Sequence, residues 1–498
     1  MQISAQNVRF IFGLKLKQLR AENNYSLSQL SALTNISKSY LNEIEKGKKY
    51  PKPEKIGYLA KALNTSYDNL VSLQLGKQLA PISALVKSDI LNELPLEFFG
   101  ISANDLLVIL ASAPIQFSAF VDALIRIGRE HNFKVESLYF SVLRSFQEMN
   151  NNYFPELETA AKKLRKKLQL DAPLTQIKNK LIALLETDYG YEIKLDGFKD
   201  KPKLANLRYV LVPNPSPILL INKKLTSTQI TFILSREVSF NLLKAKKRPQ
   251  TSSWIETKSF EHVLNNFRSY YMSSALLLDE RSFTKGLVDH TKKTTLNPEE
   301  VVALIERTQV SPEVFLLRIT NLVPRYFRYS NLFFTRYNHS LNDDTFTLSK
   351  ALNGAGLCQS ETNHVEDKAC QRWVAMDTLT RLEEIQQKEK TSPTICSFHK
   401  VKFEDSENQF LVISMTHAIT PGNNLNCTIS VGFLMDSRFM AQTKFAHDPN
   451  IQQHTITFDW LKNQTNVYDG ISNTPILTRE QELTKLRNEI KLASETLI

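Results

Sequence analysis

The chain is 498 residues long, 42% apolar and 23% charged, with 14 Gly and 19 Pro. This excludes collagenous and Pro/Gly-rich low-complexity chains and implies roughly two to four domains. The net charge of +11 is unevenly placed: residues 1–75 hold eleven Lys/Arg against five Asp/Glu, more than half of the excess in the first sixth of the chain. A polyanion-binding N-terminus follows, with nucleic acid as the first expectation.

No apolar run approaches the roughly 18 residues that a membrane span needs. No basic stretch followed by an apolar core opens the chain. Four cysteines make no disulfide framework. A reduced, cytoplasmic setting away from membranes is therefore expected.

Residues 8–22 place Val8, Ile11, Phe12, Leu16 and Leu19 at helical spacing, with Arg9, Lys15, Lys17 and Arg20 mainly on the other faces. Ser26 is a natural N-cap for a second helix. Asn35-Ile36 forms a short break, and Ser37 starts a third helix that Gly47 stops in a left-handed conformation. Pro51 and Pro53 punctuate the connection to two more short helices, near 54–63 and 66–72. A tight break between the second and third of five short helices is the helix-turn-helix arrangement.

The run from Ser26 through Ile36-Ser37-Lys38-Ser39-Tyr40-Leu41-Asn42-Glu43-Ile44-Glu45-Lys46-Gly47 resembles the Cro/C1-type (XRE) DNA-binding family over about 65 residues. Leu27 departs from the pattern, standing where many members carry a phosphate-contacting Gln. In such pairs the second helix enters the major groove with its N-terminal residues against base edges. The expected DNA-binding residues are Ser37, Lys38, Ser39, Tyr40 and Asn42, with Lys46, Lys48 and Lys49 on phosphates. Lys52 and Lys55 extend the basic stripe. The partner implied is double-stranded DNA.

Residues 76–150 read as amphipathic helices at 86–95, 103–113, 116–130 and 135–149. The stripe Phe120, Ala123, Leu124 and Ile127 reads either as core or as the interface of a homodimer. Lys162, Lys163, Arg165, Lys166 and Lys167 read as the solvated face of a helix whose apolar side is Leu157, Ala160, Ala161, Leu164 and Leu168.

Tyr189–Leu195, Tyr209–Val212 and Ile218–Ile221 read as strands, followed by a helix running TQITFILSREVSFNLLK. This order resembles the ImmA/IrrE metallopeptidase-like domain over about 100 residues, a family whose helix carries H-E-x-x-H. Aligning that helix puts Arg236 and Phe240 at the two His positions and leaves Glu237 at the general-base position. Zinc needs two His nitrogens at i and i+4 on one helix face. An Arg cation cannot ligate it and Phe has no donor atom. The motif is degenerate, no catalytic residue is assigned, and Glu237 is expected to ion-pair with Arg236 or another neighbour.

Helices near 297–307 and 311–323 precede extended segments NLFFTRY, TICSFHKVKF, NQFLVISMTHAI, NCTISVGFLM and HTITFDWL. The stretch Cys370-Gln371-Arg372-Trp373-Val374-Ala375-Met376, with Gly432–Asp436 and Thr474-Pro475-Ile476, resembles the C-terminal domain of short-chain fatty acyl-CoA regulators. The order of parts along the chain is similar to that family over nearly the full length. The Cys-rich cluster that many members carry after T-P-I is replaced here by Arg479-Glu480-Gln481-Glu482. The resemblance implies gating by an acyl-CoA or related metabolite. Arg372 beside Trp373 reads either as a contact to such a ligand or as a structural pair. Cys396 and His399 have C-x-x-H spacing that Cys358, His364 and Cys370 would have to complete, but no tight second pair exists. The cysteines are therefore read as buried apolar residues, with no metal and no cofactor.

The expected fold is multidomain α+β. An all-α helix-turn-helix domain occupies 1–75, and a helical connector with a candidate dimerisation surface 76–154. A degenerate zincin-like α/β domain occupies 155–284, and a mixed α/β sensor-like domain with a helical tail 285–498. The expected function is sequence-specific DNA binding in transcription regulation, gated by a metabolite. The alternatives are a repressor-cleaving peptidase-like protein and an ungated DNA- or partner-binding protein.

Overall fold

The computed structural model describes residues 5–72, 135–170, 174–198, 207–213, 216–251, 259–341, 345–353, 366–403, 407–419, 425–456 and 476–478. The connector helices expected at 86–95, 103–113 and 116–130, together with Cys358, His364 and the tail after 478, lie outside them. The chain divides into two compact units, residues 1–139 and 140–498.

In the first unit, α1 (Ala5–Glu22), α2 (Leu27–Thr34), α3 (Lys38–Glu45), α4 (Pro53–Ala62) and α5 (Tyr67–Val71) enclose one apolar core. Phe12, Leu16, Leu30, Leu41, Ile44, Ile56, Leu59 and Leu70 are buried in it. The starts of α2, α3 and α5 each have a side-chain cap. Ser26 and Gln29 form a reciprocal capping box at α2, and Ser37 and Ser66 accept from the backbone N–H of Tyr40 and Asn69. Asn35 at φ 56° closes α2, and Gly47 at φ 69° follows α3.

Helix α6 (Val135–Met149) crosses the division, and in the second unit α7 (Pro155–Leu168) and α8 (Leu174–Tyr189) precede β1 (Glu192–Lys194), β2 (Tyr209–Val212) and β3 (Ile218–Ile221). The strands form a small sheet in the order β1-β3-β2, with β1 parallel and β2 antiparallel to β3. The strand expected over Tyr189–Leu195 is shorter than its alternation implied, because Tyr189 still belongs to α8 and only three residues pair with β3. Helix α9 (Ser227–Leu242) packs on α8 and on α10 (Phe260–Leu277).

The larger sheet follows α11 (Glu280–Thr291), α12 (Pro298–Thr308) and α13 (Pro312–Tyr326). Its strands are β4 (Leu332–Ser340), β5 (Thr345–Asn353), β6 (Ile395–Phe403), β7 (Gln409–Ala418), β8 (Leu425–Leu434), β9 (Gln452–Ile456) and β10 (Ile476–Thr478). They lie in the order β10-β5-β4-β8-β7-β6-β9, antiparallel except for the outer β10/β5 and β6/β9 pairs. Short α15 (Ser437–Gln442) follows β8.

Strand alternation gives this sheet two chemically different faces. Leu332, Phe334, Cys396, Phe398, Leu411, Ile413, Met415, Ile429 and Val431 join α12 and α13 in the largest apolar core. The other face carries Ser397, Ser414, Thr416, Thr428 and Ser430, all buried, beneath α14 (Glu366–Glu389). The Thr378 and Ser397 hydroxyls meet at 2.7 Å across that contact. The Trp-bearing stretch Cys370–Met376 lies in α14, a helix absent from the sequence expectation. Its buried positions Ala375, Leu379 and Leu382 have helical spacing, but the polar sheet face below leaves it little amphipathic contrast.

The expected boundaries at 154/155 and 284/285 both fall inside the second unit, and α11 runs through the later one. A buried ion pair spans the region. Arg318 of α13 holds Glu158 of α7 with two bonds of 2.5 and 2.9 Å and donates its third to Leu278 O at 3.1 Å. The Tyr271 hydroxyl donates to the same carboxylate at 2.7 Å. Removing one partner of such a pair leaves an uncompensated buried charge.

Candidate functional site

Helix α3 is set in place from below. Leu41 and Ile44 are buried against α1, and the contact is close enough that a Cβ on Gly13 would meet Ile44 O at 2.3 Å. Arg20 of α1 grips Glu45 at the end of α3 with bonds of 2.6 and 3.0 Å and also donates to Tyr25 O at 2.7 Å. Lys15 bonds Asn69 O and Ser72 O at 2.6 and 2.7 Å, satisfying backbone carbonyls at the end of α5. Helix α3 is fixed by apolar burial and by Arg20, while Lys15 ties α1 to the end of α5.

The outer surface of α3 carries the expected DNA-binding residues in unequal roles. Lys38 and Ser39 are exposed at its N-terminal end and Asn42 is half-buried one turn on. Ser37 is the N-cap, its Oγ accepting from Tyr40 N at 3.3 Å. The Tyr40 ring packs on the core, with Lys55 Nζ 4.5 Å from its centroid, so its hydrophobic body is already engaged. Lys46 caps the C-terminal end, and Lys48 and Lys49 follow in the open. Short hydrogen-bonding side chains thus lie at the N-terminal end of α3 and ammonium groups at the other. Leu27 packs against the core, and the neighbouring Gln29 closes the capping box.

Helix α9, where a degenerate zinc motif was expected, has a different chemistry. Phe240 is buried between two guanidinium groups, Arg236 at 5.4 Å and Arg248 at 5.2 Å from its ring centroid. Glu237 is buried and accepts from Arg248 at 2.8 Å and from the Tyr191 hydroxyl at 3.0 Å. Its partner is Arg248, eleven residues away, while Arg236 donates to Asn266 instead. Burial raises the Glu237 carboxyl above its usual value against the pull of Arg248 and Tyr191. The Glu237 carboxylate is thus part of a packed charge pair.

Cys396 and His399, three residues apart on β6, project to opposite faces of the sheet. Cys396 enters the apolar core, where burial pushes its thiol up to about 12, whereas His399 faces Asp377 of α14 at 3.9 Å. C-x-x-H spacing chelates from a turn, and an extended strand separates the two ligands. Among the described residues no group of three or more His, Cys, Asp or Glu stands close enough to hold a metal. Nor is any described helix long and apolar enough to cross a membrane.

Sequence reasoning missed a cluster assembled from four separate segments: Arg208, Glu313, Arg336 and Lys350, with Tyr270, His417 and Cys427 around it. Two signals were available. Arg336 falls in phase with Phe334 and His417 in phase with Ile413 and Met415, so each puts a polar group on the apolar-core face of its strand.

Compared with known proteins, the chain has no match among curated sequences. A solved structure of a Mycobacterium tuberculosis transcriptional regulator aligns with it at 16% identity and a TM-score of 0.42, covering 63% of this chain and 98% of that one. Residues 16–70 match the family model for the helix-turn-helix. The N-terminal unit therefore carries a helix-turn-helix domain, a type that binds double-stranded DNA.

Proposed function

We propose that this protein is a sequence-specific transcription regulator that reads DNA with α3 and is gated by a small metabolite acting on the larger unit. The observation that carries the reading is α3 itself: Ser39 and Asn42 on its outer surface, bracketed by Lys38, Lys46, Lys48 and Lys49. A single such module buries little surface, so we include a homodimer that pairs two half-sites. The candidate effector is a short-chain acyl-CoA or related central metabolite, on the strength of the sequence resemblance. To act, it must bind the DNA-competent and DNA-incompetent states unequally. The divisions 1–75, 76–154, 155–284 and 285–498 stand as the proposed functional parts, the third a scaffold without peptidase chemistry, in a cytoplasmic setting.

A mobility-shift assay on DNA upstream of the protein's own gene tests both halves. Asn42→Ala or Ser39→Ala is expected to cost about 1–3 kcal/mol and relax site preference, whereas Lys48→Ala weakens all sequences alike and flattens the salt dependence. Equal losses on specific and random DNA for Asn42→Ala would remove α3 as the reader. DNA affinity indifferent to every acyl-CoA tried would remove the gating.

A further inference from the structure

The cluster around Glu313 combines features that a purely structural ion pair does not need. Arg336 on β4 and Lys350 on β5 are directly opposed across the strands, a like-charge pairing that destabilises a sheet. The register shifts immediately after Arg336, a β-bulge of the kind that re-aims side chains beside binding sites. Both cations reach Glu313 at the start of α13, Arg336 Nε at 3.4 Å and Lys350 Nζ closer still. Lys350 Nζ also lies 4.0 Å over the Tyr270 ring, and Arg336 donates to Ser349 Oγ at 3.3 Å and to Cys427 Sγ at 3.2 Å.

Arg208, from the segment entering β2, adds a third cation to the same field. The His417 Nδ1 is buried there without a hydrogen-bond partner. The titration behaviour of the cluster agrees with an excess of positive potential. Burial and then Arg336 lower even the Arg208 guanidinium. Burial and then Arg336 push His417 down to about 4. Arg336 and Lys350 overcome burial to hold Glu313 far below the carboxylate range. The side chains of Arg336, Glu313 and Lys350 remain 16%, 15% and 29% exposed, so the site is shielded yet reachable from solvent.

We propose that the cationic cluster where β4 and β5 meet α10 and the start of α13 binds the anionic end of a small molecule, a carboxylate or phosphate group, on Arg208, Arg336 and Lys350. The arginines supply forked donors that match an oxyanion, and the lysine supplies a point charge. Glu313 holds the three cations in register and competes with the ligand for them, so binding exchanges one carboxylate for another anion. Shielding from water strengthens each contact. The site's place in regulation rests on the gating proposed above, but its existence does not.

The test is titration calorimetry on the full-length chain at constant ionic strength, with inorganic phosphate in one arm and sodium propionate in the other. One of the two is expected to saturate at one site per chain. Lys350→Gln should weaken it about tenfold or more, and Glu313→Gln, which keeps the shape but removes the competing charge, should tighten it several-fold. Circular dichroism checks that each variant is folded. If Glu313→Gln does not fold, Arg208→Gln takes its place, with a loss like that of Lys350→Gln expected.

Absence of saturable binding in both arms, or affinities that none of these substitutions changes, would overturn the site. Mobility shifts run in parallel separate it from the gating. Anion binding without any change in DNA affinity leaves the site standing and the gating fallen. An effector response that survives intact in Lys350→Gln, while anion binding is lost, removes the site's role in gating and leaves both the site and the gating standing.

Discussion

Gly13 shows how one residue decides whether α3 is presented at all. With no side chain, it lets α1 approach the carbonyls of Ile44 and Glu45, and an added Cβ would sit 2.3 Å from the first. The obstacle is backbone, which cannot rotate aside. Gly13→Ala is expected to destabilise the N-terminal unit by about 1–3 kcal/mol, read as a lower urea midpoint, with weakened DNA binding. Arg248 is the corresponding residue in the larger unit. Arg248→Ala strands the Glu237 carboxylate in the interior and should cost about 3–5 kcal/mol in chemical unfolding. Glu237→Gln keeps the shape and the Tyr191 contact and should cost less, because burial already favours the neutral form. The helical stripe of α1 and the absence of His at 236 and 240 were legible in sequence. The Glu237–Arg248 pair was not, because its members are joined only by the return of the chain after α9.

At the scale of elements, helix limits follow from local chemistry, and strand roles follow from neighbours. The N-caps Ser26, Ser37 and Ser66 and the left-handed Asn35 and Gly47 each act within three residues, so five helices could be placed from sequence with small errors. The sheet behaved differently. The segments at β4, β6, β7 and β8 were recognised, but their order and their polar second face were not, since register is set by partners far along the chain. Helix α14 escaped notice for the same reason. Lys15 exemplifies a long-range element contact: Lys15→Met should free the end of α5 and cost about 1–3 kcal/mol, measured by thermal unfolding of the chain.

At the scale of the whole molecule, the buried His399 and the half-buried His417 link stability to pH. His399 and His417 are both held down to about 4, in each case first by burial and then by neighbouring positive groups. His417 faces Arg336, Arg208 and Glu313, and His399 faces Asp377, Arg381 and His454. An imidazole depressed in the folded state binds more protons when unfolded, so its stabilisation is complete above about pH 6.5 and is lost as pH falls towards about 4. The melting temperature should therefore drop steeply between those values, and His417→Gln should flatten part of the drop. A melting temperature independent of pH across that window would show both groups to be accessible.

Amino-acid order alone set the helix-turn-helix, its basic surface and the absence of His at 236 and 240. These are local facts: caps, helical spacing, side-chain identity at i and i+4. Tertiary structure alone decided that Glu158 and Arg318 join regions 160 residues apart, and that Glu237 pairs with Arg248. It also decided that Cys396 and His399 face opposite ways and that Arg208, Arg336 and Lys350 meet around Glu313. Charges on distant segments leave no periodic trace, because their meeting depends on how strands pair and helices pack.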